Sequence, residues 1–104
     1  MNKESIIQNN IILELHNRGH RLFRSNAGRV KTEQGIWIKL FPKGFPDTCG
    51  WHKDTGRFIA IEVKTETGRL SEEQKRFAKF AETQPIIYGV ARSVEDALEI
   101  IQKG

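Results

Sequence analysis

The chain has 104 residues, 38% of them hydrophobic and 29% charged, which supplies one core and not two. A single cysteine excludes an internal disulfide, no CxxC or His/Cys cluster suggests zinc, and no apolar stretch approaches membrane length. The net charge is +4, and Met1-Asn2-Lys3-Glu4 lacks the apolar run of a signal peptide, so the expected compartment is the cytoplasm.

Glu4 to Arg18 reads as a helix, ended by Gly19. Glu4, Gln8, Ile11 and Leu15 fall in one stripe of it, so two polar residues continue its apolar face. Arg21 to Arg24 reads as a short strand, and Asn26 and Gly28 mark a turn. From Arg29 to Pro42 the pattern is a hairpin or arm with Glu33-Gln34-Gly35 at its bend. Its Ile36, Trp37, Ile38 and Leu40 are more apolar than a solvent loop needs, so they either pack on the sheet or pair with a second copy. After Asp47 a strand runs to about Trp51, a turn follows at Lys53-Asp54-Thr55-Gly56, and a second strand spans Arg57 to Lys64. That hairpin brings Asp47 to Glu62. Thr65 to Leu70 is a loop and Ser71 to Thr83 a helix with Phe77 and Phe80 inward. Pro85 to Val90 is a buried strand, and Ser93 caps a final helix to Gln102. The α-β-β-β-α-β-α order predicts a single α/β domain over residues 1–104, with a central mixed β-sheet flanked by helices.

The chemistry concentrates at Asp47 and at the end of the last hairpin strand. A period of two puts Glu62 and Lys64 on one face, while Val63 turns inward with Ile59 and Ile61. Charges at the end of an apolar strand are costly unless paired or bound to metal. Asp47 and Glu62 offer hard oxygen ligands for Mg²⁺ or Mn²⁺, with the Val63 backbone carbonyl as a further ligand. Lys64 is suited to orient or help deprotonate an attacking water, which together makes metal-assisted phosphodiester hydrolysis the matching reaction. Each piece also has a plain reading: Pro46-Asp47 as a turn, Glu62 and Lys64 as a cross-strand ion-pair site. For Gln74, Ser71-Glu72-Glu73-Gln74 reads equally as a capping box, against a role on the inward stripe of Phe77, Ala78 and Ala81.

Gly44-Phe45-Pro46-Asp47 followed by Glu62-Val63-Lys64 resembles the PD-(D/E)xK nuclease signature, and the GxPD form resembles the virus-type replication-repair nuclease (VRR-NUC) domain. The resemblance covers most of the chain: the first helix, Arg24-Ser25-Asn26-Ala27-Gly28, both metal motifs and Gln74. It implies a restriction-endonuclease-like core, a divalent metal and DNA cleavage, and small stand-alone viral members look similar to Holliday-junction resolvases. Family members commonly carry an acid about three helical turns before the glycine that ends the first helix, which here is Gln8. Glu4 lies one turn earlier. The expected catalytic set is therefore Asp47, Glu62, Lys64 and Gln74, with Glu4 reaching the metal directly or through water and Gln8 donating a hydrogen bond near the centre. Arg24 and Asn26 match the family's arginine and asparagine after the first strand, to touch the scissile phosphate or brace the metal loop; a turn-forming Asn26 is the alternative.

Residues 1 to 57 carry ten Lys/Arg against five Asp/Glu, and residues 58 to 104 seven against eight. The basic excess, with Trp37 and Trp51 interleaved, suits a phosphate-tracking surface. Arg24, Asn26, Arg29, Lys31, Lys43, Lys53 and Arg69 are the expected DNA contacts. His16, His20 and His52 have no metal-ligand spacing and are expected at the surface, and Cys49 is expected to be a strand residue beside the site. Two functions fit: a junction-resolving endonuclease acting on branched DNA, four-way junctions in particular, as a homodimer, or a non-catalytic DNA-binding module whose first-helix acid drifted to Gln8.

Overall fold

The computed structural model describes residues 2–25 and 29–104, with Arg29 and Lys39 as backbone. Asn2 opens α1 (Lys3–Asn17), its side-chain oxygen accepting the Ser5 N–H at 2.7 Å. β1 (Arg21–Arg24) follows, then the arm of β2 (Arg29–Lys31) and β3 (Trp37–Lys39). β4 (Thr48–Trp51) and β5 (Phe58–Val63) form the hairpin expected from their turn residues. α2 (Glu72–Ala81), β6 (Ile87–Ala91) and α3 (Val94–Lys103) complete the order, with Ser93 capping α3 by accepting the Asp96 N–H at 3.1 Å.

The central sheet has the order β1-β4-β5-β6, the first two pairings antiparallel and β5–β6 parallel. This is the mixed sheet flanked by helices expected from the sequence, and it is compatible with a restriction-endonuclease-like fold. One face is the core: Ile11 and Leu15 from α1 and Ala97 and Ile101 from α3 pack on Leu22, Ile59, Ile61, Val63, Ile87 and Ala91. Alternation sends Cys49, Ala60, Glu62 and Tyr88 to the opposite face. There α2 covers the β6 side, with Phe77 and Tyr88 rings 5.7 Å apart. Phe23 on β1, Trp51 on β4 and Phe58 on β5 are exposed on that face.

Several expectations need correction. Phe80 is 57% exposed, not inward, because α2 lies over one side of the sheet only and Phe77 takes the contact. The arm forms its own two-stranded sheet, and Ile36 and Ile38 are exposed, so they do not pack on the central sheet. Nor are the histidines simply surface groups. His20 is buried and its Nδ1 accepts the Lys53 N–H at 3.1 Å, while His16 Nε2 lies within hydrogen-bond distance of the Leu22 backbone. Among the described residues no helix is long and apolar enough to cross a membrane.

Candidate active site

Asp47 precedes β4, and Glu62 lies near the end of β5, so the hairpin that pairs Thr48 with Ile61 sets the two acids beside each other. The loop before Asp47 is held closely. Gly44 adopts φ +95°, and a Cβ there would lie 2.7 Å from the Glu73 carbonyl oxygen, so glycine meets both demands. The Asp47 carboxylate accepts the Val63 N–H at 2.9 Å, and its carbonyl accepts the Ser25 N–H at 2.8 Å. Asp47 thus ties β5 to the end of β1.

Glu62 is 1% exposed, and among the described residues no donor reaches its carboxylate oxygens; the group beside them is the Asp47 carboxylate, with which Glu62 can share a proton. Burial first, then the adjoining Asp47 carboxylate, pushes its carboxyl up to about 9; Lys64 opposes this shift and Glu4 adds to it. The same two acids, after burial, raise the Tyr88 hydroxyl to about 12, which places Tyr88 within their field on the same sheet face. Lys64 anchors its backbone on β6, donating its N–H to the Ala91 carbonyl at 3.1 Å.

Buried oxygens without partners are rare in folded proteins and ask for a ligand. Paired carboxylates facing each other out of water are what a divalent cation with oxygen ligands neutralises. The donor set therefore fits Mg²⁺ or Mn²⁺. Among the described residues no three His, Cys, Asp or Glu side chains gather as a metal cluster, so Glu4 stands near the pair without closing it. Both Glu4 and Gln8 are half-buried on the α1 stripe above Ile11 and Leu15.

The remaining expected residues divide. Gln74 forms the capping box: its side-chain oxygen accepts the Ser71 N–H at 2.8 Å while Ser71 Oγ accepts the Gln74 N–H at 3.1 Å. That oxygen is therefore committed to the helix start. Arg24 donates to Asn9 Oδ1 at 2.6 Å and braces the end of β1 against α1. Lys43 is largely exposed and pairs with Glu73 at 3.5 Å. Lys31 is exposed and lies 5.8 Å from the centre of the Trp37 ring. Arg69 is exposed in the loop after β5, and Glu72 pairs with Lys75 instead of with it. Lys53 does not surround the metal loop, as the basic run had suggested. It sits in the β4–β5 turn at the opposite end of β4, paired with Asp54 at 3.1 Å. Asn26 and the Arg29 side chain lie outside the described residues.

Two contributors were missed. Ser25 Oγ is buried directly across from Asp47 without a partner among the described residues, and only its place between Arg24 and Asn26 hinted at a role. Arg92 donates from Nη1 to the Thr65 and Gly68 carbonyls at 2.7 and 2.6 Å, gripping the loop that follows Lys64. No local pattern announces a contact across so many residues.

In comparison with known families, the model described as the VRR-NUC domain matches residues 2–95. No curated protein and no solved structure matches the chain.

Proposed function

The chain belongs to the VRR-NUC domain family, and from that premise we propose that it is a Mg²⁺- or Mn²⁺-dependent endodeoxyribonuclease that cuts branched DNA, four-way junctions in particular, as a homodimer. The observation that carries the metal reading is the pair of buried Glu62 oxygens, reached by no donor among the described residues and set against a second carboxylate, Asp47. Asp47 and Glu62 hold the ion. In an extended strand a residue's C=O points to the same side as its N–H, so the Val63 carbonyl is turned toward Asp47 and supplies the backbone ligand. Glu4 acts through water, and Gln8 donates a hydrogen bond within the site.

When bound, such a cation lowers the pKa of water and offsets charge on the phosphate. Asp47, fixed by the Val63 N–H, keeps its carboxylate beside Glu62 without reorganising. Lys64 holds a compact positive charge beside Glu62, where it orients the attacking water and stabilises the charge that builds on the phosphoryl oxygens. Lys31, Lys43, Arg24 and Arg69 contact phosphates along the substrate, which positions the DNA without reading its sequence. The compartment that suits this substrate is the cytoplasm.

Labelled linear duplex, single strand, flap, fork and four-way junction, each with Mg²⁺, Mn²⁺ or EDTA, test the reading. Metal-dependent product from branched DNA is expected, reduced about 100-fold or more in Asp47→Ala, Glu62→Ala and Lys64→Ala proteins that still fold. Cleavage retained by Asp47→Ala, or insensitive to EDTA, overturns it. One observation favours a second reading, a non-catalytic DNA-binding module: Gln8 occupies the position of the family's first-helix acid and Glu4 does not close the cluster. Junction binding that is indifferent to Mg²⁺ and yields no product under either metal selects that reading.

A further inference from the structure

Beside Asp47 the chain forms a cleft of about 400 Å³ lined by Arg24, Ser25, Leu40, Phe41 and Pro42. We propose that this cleft takes one unpaired nucleobase of the substrate, next to the phosphate to be cut. The proposal rests on the nuclease reading above and narrows its substrate to DNA that offers an unstacked base at the cleavage position.

Three features carry it. The first is an aromatic stack: Phe41 and Phe45 lie 4.4 Å apart at 12°, and Phe45 meets the edge of Phe77 at 5.4 Å. Phe45 occupies one face of the Phe41 ring, while Phe41 itself borders the cleft and is 45% exposed. A flat ring backed by another ring is a platform for base stacking, which every base can use. The second is Ser25, 2% exposed, which borders the same cleft and whose buried Oγ has no hydrogen-bond partner among the described residues. Burying a hydroxyl unpaired is unfavourable, and a χ1 rotation into the cleft lets it donate to or accept from a base edge, with a strength that depends on the groups the edge presents.

The third is position. The Ser25 N–H bonds the Asp47 carbonyl one step beyond the Arg24–Thr48 pair, so Ser25 and Asp47 are cross-strand neighbours and share a sheet face. A base held at Ser25 has its own phosphate within reach of Asp47 and Glu62. Arg24, anchored by Asn9, puts a fixed cation at the rim. The cleft falls at the small end of the roughly 300–1,000 Å³ usual for ligand sites. A base enters it only after leaving its stack, which costs least where DNA is branched, mismatched or single-stranded.

The test is coupling between one base and one ring. Junction DNA with a single abasic position, moved stepwise through the branch, is titrated against the full chain by fluorescence anisotropy in Ca²⁺. At one position, loss of the base weakens wild-type binding by about tenfold. In Phe41→Ala, and in Phe41→Leu, which keeps apolar bulk without a stacking face, binding to intact DNA falls by a similar factor and becomes indifferent to that abasic site. Ser25→Ala changes the ranking of the four bases at the same position. Losses that simply multiply at every position overturn the proposal. Cleavage of intact DNA is scored separately, so an inert enzyme with position-specific coupling refutes the nuclease reading and keeps the pocket.

Discussion

Glu62 trades hydration for a place beside Asp47, with which it can share a proton, and that trade has a measurable sign. An ordinary glutamate titrates near 4.5, whereas folded Glu62 is raised to about 9 by burial and by Asp47. The folded chain therefore binds this proton more tightly than the unfolded chain. Its contribution to stability is complete below about pH 4.5 and is lost as the pH rises toward 9. Glu62→Gln keeps the shape and removes the titration. Without divalent metal the variant melts above wild type at pH 8, the gap closing toward pH 5. A gap that stays constant across that range refutes the assignment. On the metal site proposed above, Mg²⁺ is expected to raise the wild-type midpoint more than that of the variant. The sequence disclosed Asp47 and Glu62 because a hairpin is local and a period of two fixes which side chains share a face. It did not decide Gln74, whose two roles call for the same residue, and only the Ser71 hydrogen bonds select the cap.

At the scale of elements, two cross-chain ties hold the site's frame. Arg92 follows β6, and one of its guanidinium nitrogens serves the Thr65 and Gly68 carbonyls, while its own N–H is held by Asp96 at 2.9 Å. This keeps the segment after Lys64 in place. Lysine has the charge but not the planar fork, so Arg92→Lys loosens the loop. Expected are faster amide exchange at residues 65–68 and kcat lower by about tenfold with KM nearly unchanged, because misplacing Lys64 harms the chemistry more than the binding. Equal exchange and equal kcat would remove Arg92 from the site's support. At the other end of the sheet His20 pins the β4–β5 turn through Lys53. Its pKa is lowered from 6.5, by burial first and then by His52, Lys53 and Arg18, with Asp54 opposing. A proton on Nδ1 ends that bond, so the stability His20 contributes is present above pH 6.5 and falls as the pH drops through its folded value. His20→Gln, which retains an acceptor, flattens the acid limb of a melting-temperature profile; an unchanged limb rules the pin out. These ties join residues far apart in the chain, and for that reason periodicity and turn residues, which located nearly every helix and strand, were silent about them.

For the whole molecule, the distribution of apolar surface points to a second copy. Within the arm, Val30 pairs with Ile38, and Ile36 lies two residues from Ile38, so all three share one face of the β2–β3 ribbon. They are 48%, 46% and 62% exposed respectively. A two-stranded ribbon is marginal in water by itself, and a contiguous apolar face of this kind marks an association surface. The sequence left two options for Ile36 and Ile38, packing on the sheet or pairing with another chain, and the structure does not use the first. On the homodimer proposed above, a two-fold axis through paired arms would give each subunit one copy of Asp47 and Glu62, which would match two symmetric cuts of a four-way junction. Light scattering at micromolar concentration should then give twice the chain mass. Ile36→Lys with Ile38→Lys, placing like charges across the axis, should give a monomer of unchanged circular dichroism that nicks one strand of the junction where wild type cuts two. A wild-type monomer that still makes paired cuts would assign the arm's apolar face to DNA, since the two cuts would then need no second subunit.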